Sequence, residues 1–163
     1  MTVSIRAYDA MCERERDIRT LVFVREGAWR PEFDEWDEPG ASTHLLAFDD
    51  AGEPVGTCRF YLDAAVEPHR HVVARLAVLA KARGHGVGSA LLDEAESRIA
   101  ALGGESAWVH AEFDYYPFYE RHGYMLSDDV YDNGRHGWLS KQLRHGPNGT
   151  ETHTTDHQQE IIK

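Results

Sequence analysis

Three glycines at alternate positions, Gly84, Gly86 and Gly88, sit between the apolar run RLAVLA (Arg75 to Ala80) and an amphipathic stretch from Ser89 to Leu102. Each glycine costs backbone entropy on ordering, so a chain gathers three only where its backbone must turn sharply or approach something closely. A strand that ends in such a turn and opens a helix leaves the first-turn N–H groups without intrahelical acceptors. The helix dipole also favours negative charge beside them. That arrangement suits an anion, and Lys81 and Arg83 place cationic side chains next to it. A phosphate or pyrophosphate is the expected guest.

Two common phosphate loops do not fit. The nucleoside-triphosphate loop needs Gly-Lys-Ser/Thr, whereas this chain has Gly88-Ser89-Ala90. The dinucleotide fingerprint needs a glycine where Ser89 stands, and it follows the first strand of a βαβ unit, not one deep in the chain. A nucleotide-binding enzyme of another class is thereby weakened, and an R-x-x-G-x-G string, Arg83 to Gly88, remains.

The 163 residues suit one domain, and 42% apolar content supplies a core. No stretch approaches the roughly 20 apolar residues of a membrane span. The N-terminus lacks a basic start followed by an apolar block, so a cytoplasmic setting is expected, with Cys12 and Cys58 as ordinary thiols. A net charge of -11 argues against a nucleic-acid partner. It suits attraction of a cationic amine, and equally it serves solubility alone.

The patterning predicts strands at Val3–Tyr8, His44–Phe48, Val55–Leu62 and His71–Leu79, the last reading as a central strand buried on both faces. A helix is expected over about Asp9 to Glu26, and another after the glycines with Leu91, Ala95, Ile99 and Leu102 on its buried face. Ser106–Ala111 reads as a strand and DYYPFYERHGY as a short helix, followed by closing strands at Tyr124–Leu126 and Gly137–Leu143. Residues 1–144 form the expected domain and 145–163 a polar, loose tail. The tail histidines His145, His153 and His157 lack tight ligand spacing, so no metal is expected.

With RLAVLAKA before it and SALLDEAE after it, the string Arg83-Gly84-His85-Gly86-Val87-Gly88 resembles motif A of the GCN5-related N-acetyltransferase (GNAT) family. Downstream, HAEFDYYPFYERHGYML is similar to that family's late strand, helix and FY…GF signature. Upstream, VFVREGAWRPEFDEWDE and THLLAFDDAGEPVGTCRFYL are similar to its small YjcF/ElaA-like branch. The resemblance covers about Val3 to Leu143. It implies the α+β GNAT fold: a single mixed, mostly antiparallel sheet of six or seven strands, with helices on both faces.

The same resemblance implies acetyl-coenzyme A as cosubstrate and transfer of its acetyl group to a primary amine of a small molecule or peptide. Amides of Leu76, Ala77 and Val78 would pair with the pantetheine arm, Ala77 or Val78 donating to the thioester carbonyl. Arg83, Gly84, His85, Gly86, Val87, Gly88 and Ser89 would surround the pyrophosphate. Tyr119 matches the family's general acid, since a phenol with a pKa of about 10 stays protonated near neutrality.

Relatives often carry a Glu on the strand before the loop. Here no carboxylate stands between Arg70 and Leu79, so Glu112 is the first substitute, acting through water. His110 falls on the same face as Glu112, and His136 and Asp37 are further candidates. An amine arriving neutral needs no base. The missing carboxylate also motivates an alternative, a non-catalytic acyl-coenzyme A sensor or regulatory domain. Asp34, Glu35, Asp37 and Glu38, interleaved with Phe33 and Trp36, read as an alkylammonium site or as a solvated loop pinned by aromatics. Trp29 and Trp36 line either an acceptor cleft or a homodimer contact.

Overall fold

The computed structural model describes residues 1–27 and 32–143. Trp29, and the tail beyond the boundary at 144, lie outside the described residues. Seven strands form one sheet: β1 (Ser4–Tyr8), β2 (Thr43–Phe48), β3 (Pro54–Asp63), β4 (Arg70–Val78), β5 (Ser106–Glu112), β6 (Met125–Tyr131) and β7 (His136–Gln142). Their spatial order is β1-β2-β3-β4-β5-β7-β6, and every neighbouring pair is antiparallel except β4 with β5. This is the expected mixed sheet.

Period-two alternation sends β2 side chains to opposite faces, and a different helix covers each face. Leu46 and Phe48 pack with Ile18 of α1 (Glu13–Arg19). Leu45 and Ala47 join Leu91, Leu92, Ala95 and Ile99 of α2 (Val87–Ala101) in the larger core. A third helix, α3 (Tyr116–Arg121), carries its proline in the first turn, where no N–H is needed. No helix among the described residues is long and apolar enough to cross a membrane.

The structure amends four expected elements. The first helix starts at Glu13 rather than near Asp9, because the Asp9 carbonyl accepts from the amide of Gly40 at 2.9 Å; the helix continues as a π-helical stretch, Thr20–Glu26. Leu102 lies past the end of α2, beside the glycines that stop the helix, and is 70% exposed. Strand β4 is central, yet only Val72, Val73 and Ala77 are buried, because its neighbour departs halfway along. Strand β6 runs on to Tyr131 at the sheet edge, through a register irregularity between Leu126 and Val130.

Candidate active site

Strands β4 and β5 pair at His71–Ala107 and Val72–Trp108 and then separate, leaving the later edge of β4 facing an opening. On its other edge β4 holds an extra residue, since Thr57 pairs with Ala77 but Arg59 pairs with Ala74. Arg75, at this bulge, has φ +54°, a left-handed conformation that a non-glycine residue adopts only at a cost. Bulges bend a strand and re-aim its side chains. Here Arg75 reaches the Glu32 carbonyl and Asp34 Oδ2, both at 3.2 Å. The expected pantetheine-binding residues Leu76, Ala77 and Val78 follow directly, on the stretch where β4 and β5 have parted.

The glycine turn lies between β4 and α2. Gly84 and Gly86 have φ +79° and +78°, and a Cβ on either would meet nothing within 4 Å. Backbone angle, not crowding, therefore requires glycine at both positions. Gly86 caps α2 with no side-chain cap, so the first-turn amides around Val87, Gly88 and Ser89 keep their donors facing outward. Gly88 differs, because its Cβ would lie 3.6 Å from the Phe118 ring. Arg83 folds back: Nε donates to the Val78 carbonyl at 2.9 Å and Nη2 pairs with Glu26 Oε2 at 2.8 Å. His85 is exposed beside them.

Tyr119 projects from α3 between the edges of Phe118 and Tyr124, with ring centroids at 5.1 and 5.7 Å. Burial pushes its phenol well above the usual tyrosine range, and Cys58 and Tyr115 add to the effect. It is thus a protonated donor at neutral pH. A cleft of about 220 Å³ is lined by Trp36, Tyr61, Arg75, His110 and Trp138 among others. His110 Nε2 lies 2.8 Å from the Tyr131 hydroxyl. Its pKa is lowered by burial first and by His136 second, against a smaller opposing pull from Asp129 and Glu112.

Of the candidate proton acceptors, His110 reaches the cleft. Glu112 is exposed at the end of β5, two residues farther along the same face and opposite His136. Asp37 is unsuited to the task. It accepts from Arg19 at 2.6 and 3.0 Å and from Arg59 at 2.6 Å. Burial alone would raise its pKa, but those two guanidiniums outweigh it and hold the carboxylate far below the usual range.

The acidic loop is solvated at Glu35 and Glu38, but Asp34 and Asp37 turn inward to buried arginines. Asp34 pairs with Arg59 at 2.8 Å and Arg75 at 3.2 Å, so its charge is matched from within and not by an alkylammonium. Asp34 also caps a short helical turn, Glu35–Asp37, in a reciprocal box with Asp37. Trp36 stacks on Tyr61 with centroids 3.9 Å apart. Glu15, Asp37 and His44 converge within 4.8 Å, but Arg19 Nη1 bonds both carboxylates, so a guanidinium supplies the cation there. Buried arginines matched to loop acids left no readable periodicity. The acid, Trp, Pro and Gly content of WRPEFDEWDEPGAS reads as an ordered loop or short helical turn, and a turn forms at Glu35–Asp37.

Comparison with known proteins agrees with this geometry. A Bacillus subtilis protein assigned as an acetyltransferase is 30% identical over 131 residues, covering 77% of this chain and 86% of its own. Escherichia coli ElaA shares the fold with a TM-score of 0.71 at 20% identity, over 86% of this chain and 99% of that one. So does a GNAT family acetyltransferase from Elizabethkingia anophelis with acetyl-CoA bound, at a TM-score of 0.66 and 16% identity, over 86% and 98%. Residues 8–124 match the Acetyltransferase (GNAT) family, and with the parted strands, the bulge and the glycine-capped helix in their places, the chain belongs to that family.

Proposed function

We propose that this acetyltransferase moves the acetyl group of acetyl-coenzyme A onto a primary amine of a small molecule or peptide held in the cleft beside Arg75 and His110. One observation supports the reading most: β4 parts from β5 just before Leu76, Ala77 and Val78 and runs through the glycine turn into the start of α2, which has no side-chain cap. Main-chain amides of Leu76, Ala77 and Val78 bind the pantetheine arm and polarise the thioester carbonyl. Amides from Gly84 to Ser89 take the pyrophosphate, and Arg83 stays near it while braced by Glu26.

His110 accepts a proton from the amine, its lowered pKa keeping the ring neutral and ready. Glu112, farther out on the same face, passes that proton to solvent through water. The amine nitrogen then forms its bond to the carbonyl carbon, and the carbon–sulfur bond breaks. Tyr119 gives its proton to the departing thiolate and regains one from solvent as the products leave, giving an amide, free coenzyme A and the neutral phenol. Thermal denaturation with acetyl-coenzyme A should show a raised melting temperature, and a panel of amines should release thiol. Absence of stabilisation at saturating coenzyme would sink the reading. Stabilisation without turnover on any amine would favour an acyl-coenzyme A sensor instead.

A further inference from the structure

His122 is held at both ring nitrogens. Nδ1 lies 2.7 Å from the Phe118 carbonyl oxygen, and Nε2 lies 2.9 Å from Ser89 Oγ. A carbonyl only accepts, so Nδ1 carries hydrogen. In the neutral ring Nε2 is then an acceptor, and the single Ser89 proton is committed to it. A serine hydroxyl so engaged, in the first turn of α2, offers an approaching phosphate only lone pairs, leaving the donation to the backbone amide. Protonating the ring reverses this. Nε2–H then donates to Ser89 Oγ, and the serine hydroxyl is free to donate outward.

We propose that His122 is a coenzyme-positioning residue that takes up a proton as phosphate docks at the start of α2, turning Ser89 from acceptor to donor. The inference rests on the assignment of that turn to the coenzyme pyrophosphate. Ser89 and Phe118 are the two hydrogen-bond partners of the ring, and the Phe118 ring packs on it at 4.6 Å. The ring makes no ion pair among the described residues. Asp93, one turn after Ser89 on α2, and Glu120 and Arg121, just before the ring on α3, are the ionisable neighbours along the two helices. The same ring joins the anion-binding helix to the residue next to Tyr119.

Calorimetric titration with coenzyme A, in two buffers of different ionisation enthalpy at the same near-neutral pH, reads the proton uptake directly. Wild-type protein should take up protons on binding. His122→Gln, which keeps a donor and an acceptor, and Ser89→Ala should bind about tenfold more weakly, the loss of one charge-assisted hydrogen bond, with uptake reduced. Uptake in His122→Gln or Ser89→Ala equal to wild type overturns the proton link while leaving the coenzyme site standing. Failure of coenzyme A to bind the wild-type protein overturns the site itself, and this inference with it.

Discussion

The imidazole of His110, which lines the cleft proposed to hold the acceptor, meets the phenol of Tyr131 at 2.8 Å. Because burial and His136 lower the His110 pKa, its neutral form persists to a lower pH than that of a free imidazole. Activity should therefore fall only as pH drops through a value below 6.5, the ordinary imidazole figure. His110→Ala should lower kcat/KM by about 10²–10³-fold, the usual loss for a proton acceptor, and remove that acid limb. A pH profile of kcat/KM for both proteins is the check. An unchanged acid limb in the variant would assign it to another group.

Tyr119→Phe should separate binding from chemistry. The substitution keeps the ring between Phe118 and Tyr124 and removes only the hydroxyl, so the fold and the start of α2 are untouched. Expected is a drop of about 10²-fold in kcat with unchanged affinity for coenzyme A. The raised phenol pKa has a second consequence. Loss of this proton lies above the usual tyrosine value of 10.0, so it places no alkaline limb near neutrality. Steady-state kinetics beside calorimetry decide it, and equal loss of kcat and affinity would make Tyr119 a packing residue.

Local signals in the chain were enough for the sheet, the helix after the glycines and the order of the two signatures. Gly84 and Gly86 were readable because a positive φ leaves a mark in residue type. The Arg75 bulge was not, since an arginine in an apolar run looks like one polar residue on a buried strand. The acidic loop misled for a related reason. Asp34 and Asp37 look solvated until Arg59, more than 20 residues away, is seen beneath them, and period and spacing carry no information about such pairings. His122 was equally hidden, because its partner Ser89 lies 33 positions back.

Asp37 should govern acid stability. Its folded-state pKa is depressed, so its contribution is full above the ordinary carboxylate value of 3.8 and is lost as pH falls below it toward the folded value. Asp37→Asn leaves Arg19 and Arg59, at 0% and 1% exposure, short of a counter-charge. Breaking a buried pair in this way costs about 3–5 kcal/mol. The variant should melt well below wild type at neutral pH and lose much of the wild-type decline on acidification. Melting temperatures across an acid series measure both effects, and a variant matching wild type at neutrality would show that the two arginines find other partners.

Gly86→Val tests whether the glycine turn is a grip or a mere connector. Gly86 has φ +78° and no atom within 4 Å of a built Cβ, so a larger side chain meets no steric block in the free protein. The cost comes from the backbone, since a β-branched residue resists left-handed angles, and relief requires rotating the first peptides of α2. Those peptides are the proposed phosphate donors. The valine methyls would in addition occupy the space in front of them. A folded protein with a modestly lower melting temperature is expected, and stabilisation by acetyl-coenzyme A should vanish. Gly86→Ala, which adds strain with little bulk, should fall between the two. Thermal shifts of all three proteins with and without coenzyme provide the comparison. If Gly86→Val is stabilised as strongly as wild type, the amides at the start of α2 are not what holds the coenzyme, because nothing else at that turn would be so displaced by the substitution.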